Sequence, residues 1–165
     1  MKKVAVIMGS DSDFPLVKNT IKVLKELEIP FEAHVFSAHR TPNEAIEFAK
    51  NASKNGFGVI ISAAGKAAHL GGILAAYTVL PIIGIPIKAS ALEGMDALLS
   101  TVQMPKGIPV ASVAIDGADN AAILAAEILA VGDSELEKKL LEMRRKMTEG
   151  VIEKDRELQK TIASL

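Results

Sequence analysis

Short unbroken apolar runs alternate along this chain with longer stretches whose apolar residues recur at helical spacing. Lys3–Met8 is continuous rather than alternating, as in a strand buried on both faces. A polar loop, Gly9-Ser10-Asp11-Ser12-Asp13, follows. Phe14–Glu28 then places Leu16, Val17, Ile21, Leu24 and Leu27 on one helical face, and Ile29-Pro30 stops it. Phe31–Phe36 reads as a second strand. Thr41 is the expected N-cap of the next helix, with Pro42 in its first turn and Glu44 completing a capping-box pattern; Asn55-Gly56 ends it. Gly58–Ala63 is a third strand, Ala64-Gly65-Lys66 a tight loop, and Ala67–Thr78 an Ala-rich helix. Pro81–Ile85 and Pro109–Ile115 read as the fourth and fifth strands, with a helix over Leu92–Gln103 between them. The helix Ala118–Ala130 carries one charge after Asn120, at Glu127, so most of its sides are expected to be covered.

Strand–helix alternation through five units predicts an α/β fold, a parallel sheet with helices on both faces. After Gly132 the chain becomes charge-rich. Ser134 is the expected cap of a long helix reaching towards Ser164, with Leu136, Leu140, Met143 and Met147 as one apolar stripe. That stripe suits docking onto the domain or a neighbouring subunit. The expectation is one domain over 1–165, an α/β core at 1–131 followed by the C-terminal helix at 132–165.

Composition narrows the function classes. A length of 165 residues suits one domain with a real core. The formal net charge of −1 provides no basic field for nucleic acid. With no cysteine there is no disulfide or thiolate metal cluster, and a reducing cytosol is permitted. Met1-Lys2-Lys3 precedes an apolar run too short for a signal peptide. Gly72–Ile87 is interrupted by Tyr77, Thr78, Pro81, Gly84 and Pro86, so it makes no membrane span. The chain is therefore expected to be cytoplasmic, without membrane or nucleic-acid partners. Residues are 49% hydrophobic but only 4% aromatic, so the core must be built from Ala, Ile, Leu and Val.

Ligands of an open parallel sheet bind outside the carboxyl ends of its strands. Three loops stand there: Gly9–Asp13, Ser37–Thr41 and Ala64–His69. The first offers hydroxyls, carboxylates and backbone N–H groups at a helix start, suited to a hydroxylated or phosphorylated ligand. The second offers His39 beside Arg40, and arginine clamps phosphate or carboxylate with two hydrogen bonds. The third offers Gly65 for close backbone approach and His69 at the start of a helix. Each also has an ordinary reading, as a turn, a surface histidine or a core histidine bonded to backbone. Their convergence on one sheet edge favours a site. There is no Gly-x-Ser-x-Gly elbow, P-loop or Gly-x-Gly-x-x-Gly turn. The three histidines, 34, 39 and 69, do not form a metal set by spacing.

Four segments, "VAVIMGSDSD" (4–13), "SAHRTP" (37–42), "AAGKAAHLGG" (63–72) and "VQMPKGIPVASVAI" (102–115), resemble the N5-carboxyaminoimidazole ribonucleotide mutase family (PurE). The similarity runs from about residue 3 to residue 131, and "SAHRTP" and "AAHL" are the forms of its class I. The resemblance implies a three-layer, flavodoxin-like, doubly wound sheet of about five strands. It also implies a homo-octamer with active sites shared between subunits, a small ribonucleotide substrate, and no metal or organic cofactor. By similarity, Ser10 and Asp13 hold the ribose-phosphate end and Arg40 pairs with the phosphate. His39 is the catalytic general acid/base, with Ser37 and Ala38 beside it. Gly65, Ala67, His69 and Leu70 line the pocket around the imidazole and the migrating carboxylate. Two positions depart from the family pattern: Lys66 stands where it has glycine, and Gly71 where it has proline. At this stage two other readings remain open: a ribonucleotide-binding member with impaired turnover, and a carboxylase using dissolved CO2.

Overall fold

The computed structural model describes residues 1–165. The unbroken apolar runs become the centre of a five-stranded parallel sheet: β1 (Lys3–Met8), β2 (Phe31–Val35), β3 (Phe57–Gly65), β4 (Ile82–Ile87) and β5 (Ala111–Ser112). Their order is β2-β1-β3-β4-β5, the flavodoxin-like order, which reverses direction between β1 and β3. The helices are α1 (Phe14–Glu26), α2 (Pro42–Ala52), α3 (Leu70–Ala76), α4 (Met95–Val102), α5 (Ala118–Ala130) and α6 (Ser134–Ala163).

Alternation of side chains on the three central strands divides the interior into two apolar layers. Val4, Val6, Val59, Ile61, Ile83 and Ile85 point to the face covered by α1 and α5. Ala5, Ile7, Ile60 and Ile82 point to the face where Ala45 and Ala49 of α2 and Leu70 and Leu74 of α3 pack. Helices therefore flank the sheet on both sides, and every residue of β4 is buried. Small residues set the helix spacing. Ala118, Ala121, Ala122, Ala125 and Ala126 form the buried stripe of α5, and the buried Thr20 hydroxyl of α1 donates to Ala118 O at 2.8 Å. The other side of α5 is less covered than expected: Ile123, Leu124, Ile128 and Leu129 are half-buried, and Asp119 and Asn120 are exposed.

Several boundaries differ from the sequence expectation, each for a local reason. Glu93 (φ 53°) and Gly94 (φ 91°) are left-handed, so α4 starts at Met95 rather than Leu92. Lys66 is left-handed too (φ 55°), and a tight bond from His69 N–H to Ala67 O (2.8 Å) delays α3 to Leu70. β5 shrinks to two residues. Gly84 and Pro86 turn their carbonyls towards it, accepting from Val113 and Asp116, so the N–H that Pro86 lacks is missing on that side and the ladder stops. Asp133, not Ser134, caps α6, its carboxylate accepting from the Leu136 N–H at 3.1 Å. Thr41 makes no side-chain cap to α2, and the expected capping box with Glu44 is absent.

The stripe on α6 docks only at its start. Leu136 and Leu140 are buried and Met143 packs at the edge of the same core, but Met147 is exposed. From Arg144 onwards every residue of the helix is exposed, including Val151, Ile152, Leu158 and Ile162. No helix is long and apolar enough to cross a membrane.

The close approach of α4 to the sheet depends on Gly84. A methyl group there would overlap the Thr101 methyl and meet Val110 Cγ1 at 3.3 Å. Gly84→Ala is expected to lower unfolding stability by about 1–3 kcal/mol in urea, the usual range for overpacking. Adding Thr101→Ser, which removes the obstructing methyl, should return part of that loss.

Candidate functional site

The strands that carry the polar loops end level with one another. Met8 lies in register with Val35 on one side and Ala63 on the other, and Gly65 with Ile87. The loops after β1, β2, β3 and β4 therefore open onto one cleft of about 730 Å³. Of the residues singled out in the sequence, Ser10, Asp13, Ser37, Ala38, His39, Arg40, Gly65, Ala67 and Leu70 line it. His69 does not; it is exposed and reaches the site through His39. The sequence reading missed Ile87, Lys88 and Ala89, which form a further wall. The carboxyl-edge rule, applied to β4 as it was to β1, β2 and β3, would have pointed there. Gly9, Ser12, Ala64 and Lys66 complete the lining.

The first loop is a hydroxyl cluster over a short 3-10 turn. Ser10 Oγ caps that turn, accepting from the Ser12 N–H at 3.3 Å, and the two serine hydroxyls lie 2.8 Å apart. Behind them burial pushes the Asp13 carboxyl above its ordinary range, and Asp11 adds to the shift; hydrogen bonds from Ser10 and Ser12 offset part of it. A carboxylate short of solvation gains from a ligand that brings hydroxyl donors, and a ribose does.

The second loop is organised by Ser37. Its hydroxyl accepts from the Arg40 backbone N–H (3.2 Å) and from Arg40 Nε (3.4 Å), and its own N–H donates to Thr41 Oγ1 at 2.8 Å. That last bond is why Thr41 does not cap α2: its hydroxyl holds the loop instead. The Arg40 guanidinium reaches Gly9 O at 3.3 Å and has no carboxylate partner. It is exposed and charged at the cleft wall, free to take a phosphate or carboxylate.

The third loop supplies small walls and one strained residue. A Cβ on Gly65 would lie 3.2 Å from Ile87 O, so glycine lets the end of β3 close against β4. Lys66 is an exposed, left-handed lysine, in the conformation that glycine adopts without cost. Gly71 lies buried in the first turn of α3. On the β4 side, the Lys88 N–H donates to Asp116 Oδ1 at 2.9 Å, and its ammonium is ion-paired with Glu93, the main reason its pKa is raised. Two of the three histidines meet: His39 Nε2 lies 2.9 Å from His69 Nδ1, with the rings nearly perpendicular. His34 stacks on Phe36 instead. No group of three or more His, Asp or Glu side chains is placed to hold a metal ion.

Two expectations follow. A carboxyl whose folded pKa is raised costs the native state nothing while it is protonated in both states. Its contribution is lost as the pH climbs from the unfolded value, 3.8, through the raised folded one. Asp13→Asn removes that loss, so the stability of the variant relative to the unsubstituted chain should grow across the acid range and then level off. Urea unfolding at a series of pH values measures it, and a gap that shrinks with rising pH would contradict the buried-carboxyl account. Lys66→Gly should stabilise the fold by about 1 kcal/mol by relieving the left-handed lysine. A loss of stability in the same urea titration would contradict the strain.

Comparison with known proteins places this site in a family. The family model described as AIR carboxylase matches residues 3–150. An N5-carboxyaminoimidazole ribonucleotide mutase of Pyrococcus abyssi is 56% identical over 147 residues, 89% of this chain and 84% of that protein. The enzyme of the same name from Thermotoga maritima is 50% identical over 159 residues, 96% of this chain and 93% of its own. That of Escherichia coli is 47% identical over 153 residues, covering 92% and 90%. The crystal structure of Treponema denticola PurE superposes with a TM-score of 0.84 at 27% identity, over 94% of this chain and 97% of the other. With the flavodoxin-like strand order and the cleft built from its motif segments, this chain belongs to the AIR carboxylase family.

Proposed function

We propose that this chain is an N5-carboxyaminoimidazole ribonucleotide mutase, an isomerase of de novo purine biosynthesis. It moves the substrate carboxylate from the exocyclic nitrogen to ring carbon C4, giving 4-carboxy-5-aminoimidazole ribonucleotide. The observation that carries this reading is the pairing, in one cleft, of an exposed imidazole at His39 with a guanidinium at Arg40 that has no carboxylate partner. The names of the relatives at 47–56% identity support it.

In this reading Arg40 takes the substrate phosphate, and Ser10 and the desolvated Asp13 take the ribose hydroxyls. The carbamate carbon–nitrogen bond breaks, and His39 delivers a proton to the departing nitrogen. The electron-rich aminoimidazole that results attacks the released CO2 through C4, and His39 then removes the C4 proton. One group acts as acid and then as base, which suits histidine, the side chain that titrates near neutrality. Small residues, Ala38, Ala64, Gly65 and Ala67, line the cleft beside His39, and in this reading the bound ribonucleotide itself closes it over the released CO2.

In this reading the chain acts as one domain of a cytoplasmic homo-octamer; of residues 132–165, Leu136, Leu140 and Met143 pack on the chain's own core, and the exposed remainder of α6 packs on neighbouring subunits. Support for self-association comes from apolar side chains left open on α4 (Met95, Leu99, Val102) and on the outer part of α6 (Met147, Val151, Ile152, Leu158, Ile162).

His39→Asn should abolish turnover while the ribonucleotide still binds and the melting temperature is kept; turnover like that of the unsubstituted chain would overturn the acid–base role. Arg40→Leu should weaken the phosphorylated substrate by about ten- to a hundredfold, the worth of a charge-assisted contact of roughly 1.5–3 kcal/mol, with the nucleoside almost unaffected. Calorimetric titration with both ligands reads the difference, and equal losses would make Arg40 a structural residue.

A further inference from the structure

Four residues other than glycine take the left-handed backbone conformation: Glu28, Lys66, Glu93 and Asp116. That conformation presses a Cβ against the neighbouring carbonyl and is costly for any of them. In three of the four the side chain is engaged within the chain. Glu28 is ion-paired with Lys139, Glu93 is ion-paired with Lys88, and the Asp116 carboxylate accepts from the Lys88 N–H. Lys66 differs. No carboxylate reaches its ammonium, and the residue lines the cleft between Gly65 and Ala67. Three lysine or arginine residues line that cleft. Lys88 is neutralised by Glu93. Arg40 belongs to the loop after β2 and reaches Gly9 O at the end of β1. Lys66 follows β3, on the other side of β1. Two unpaired positive groups therefore stand on either side of the end of β1.

We propose that Lys66 is a specificity residue whose ammonium pairs with the carboxylate of the bound ribonucleotide, so that the cleft distinguishes carboxylated from uncarboxylated ligand. The ligand's identity rests on the mutase reading. That substrate carries two anionic groups, a phosphate at one end and a carboxylate at the other, and the cleft offers one unpaired cation for each. With Arg40 on the phosphate, Lys66 is the cation left for the carboxylate. Lysine suits this place because its ammonium is a point charge on a flexible four-carbon stem. It can follow the carboxylate from the exocyclic nitrogen to C4 without a fixed, two-bond geometry. Substrate and product both carry the group, so the contact holds both and its effect falls on KM rather than kcat. The strained backbone of Lys66 then has a use that its three left-handed counterparts find inside the fold.

Calorimetric titration of the full chain with 4-carboxy-5-aminoimidazole ribonucleotide and with 5-aminoimidazole ribonucleotide isolates the carboxylate, since the two share phosphate, ribose and ring. Lys66→Met keeps the stem and the left-handed backbone but removes the charge. It should weaken the carboxylated ligand by about three- to tenfold, the worth of one partly solvated charge pair, and leave the uncarboxylated ligand almost unaffected. The salt dependence of the first ligand should flatten in the same variant. Lys66→Arg should recover most of the loss. Lys66→Gly should be more stable in urea yet bind the carboxylated ligand as weakly as Lys66→Met. Unchanged affinity for both ligands in Lys66→Met, or an equal loss for both, overturns the proposal and leaves the mutase reading standing. A loss confined to the carboxylated ligand supports the role of Lys66 even in a chain that fails to turn over, and there the mutase reading alone falls. An unsubstituted chain that binds neither ribonucleotide overturns both.

Discussion

The register of β1, β3 and β4 is the constraint on which the rest of this molecule depends. Three parallel strands hydrogen-bonded side by side, with Met8 level with Ala63 and Ala63 level with Ile85, bring their carboxyl ends to one height. A slip of one residue in β3 would turn its side chains to the opposite faces and exchange Ile60 with Ile61 between the two apolar layers. It would also shift Ala64, Gly65 and Lys66 about 3.3 Å along the strand, out of line with the loops after β1 and β4. The same pairing thus fixes the core and assembles the site.

Around that frame the loops are less comfortable than the core. Lys66 is left-handed where glycine would be relaxed, Asp13 is a carboxyl pressed into partial burial, and Thr41 holds Ser37 instead of capping its helix. All three lie in or beside the cleft. Strain is not confined to the cleft, since Glu28, Glu93 and Asp116 are left-handed too, but these three departures fit a site where binding geometry overrides local preference.

The central strands were legible because unbroken apolar runs have few alternative meanings in a chain with this many strand–helix alternations. The helices were legible by spacing, with Pro42 and Asn55-Gly56 as punctuation. What the sequence hid was mostly backbone geometry: the left-handed Lys66, Glu93 and Gly94 that shorten α3 and α4, and the proline whose missing N–H ends β5. The site was legible as three loops, with the family resemblance supplying residues such as Ser37, Ala38, Ala67 and Leu70, and nine of the ten named residues line the cleft. His69 was expected there as well, but its contact is with His39, a pairing across 30 residues that no local pattern encodes. The outer half of α6 reads in sequence as the continuation of an apolar stripe, yet it leaves the domain after Met143, because the core it docks against ends there.

Intramolecular transfer requires that the carboxylate stay within the cleft between leaving nitrogen and reaching C4. Substrate labelled with carbon-13 in the carbamate, turned over in unlabelled bicarbonate, measures this in one experiment. Intramolecular transfer predicts that the C4 carboxylate of the product keeps the label and that the rate does not depend on bicarbonate. Product carrying unlabelled carboxylate, with a rate that rises with bicarbonate, would contradict it and show direct carboxylation by dissolved CO2.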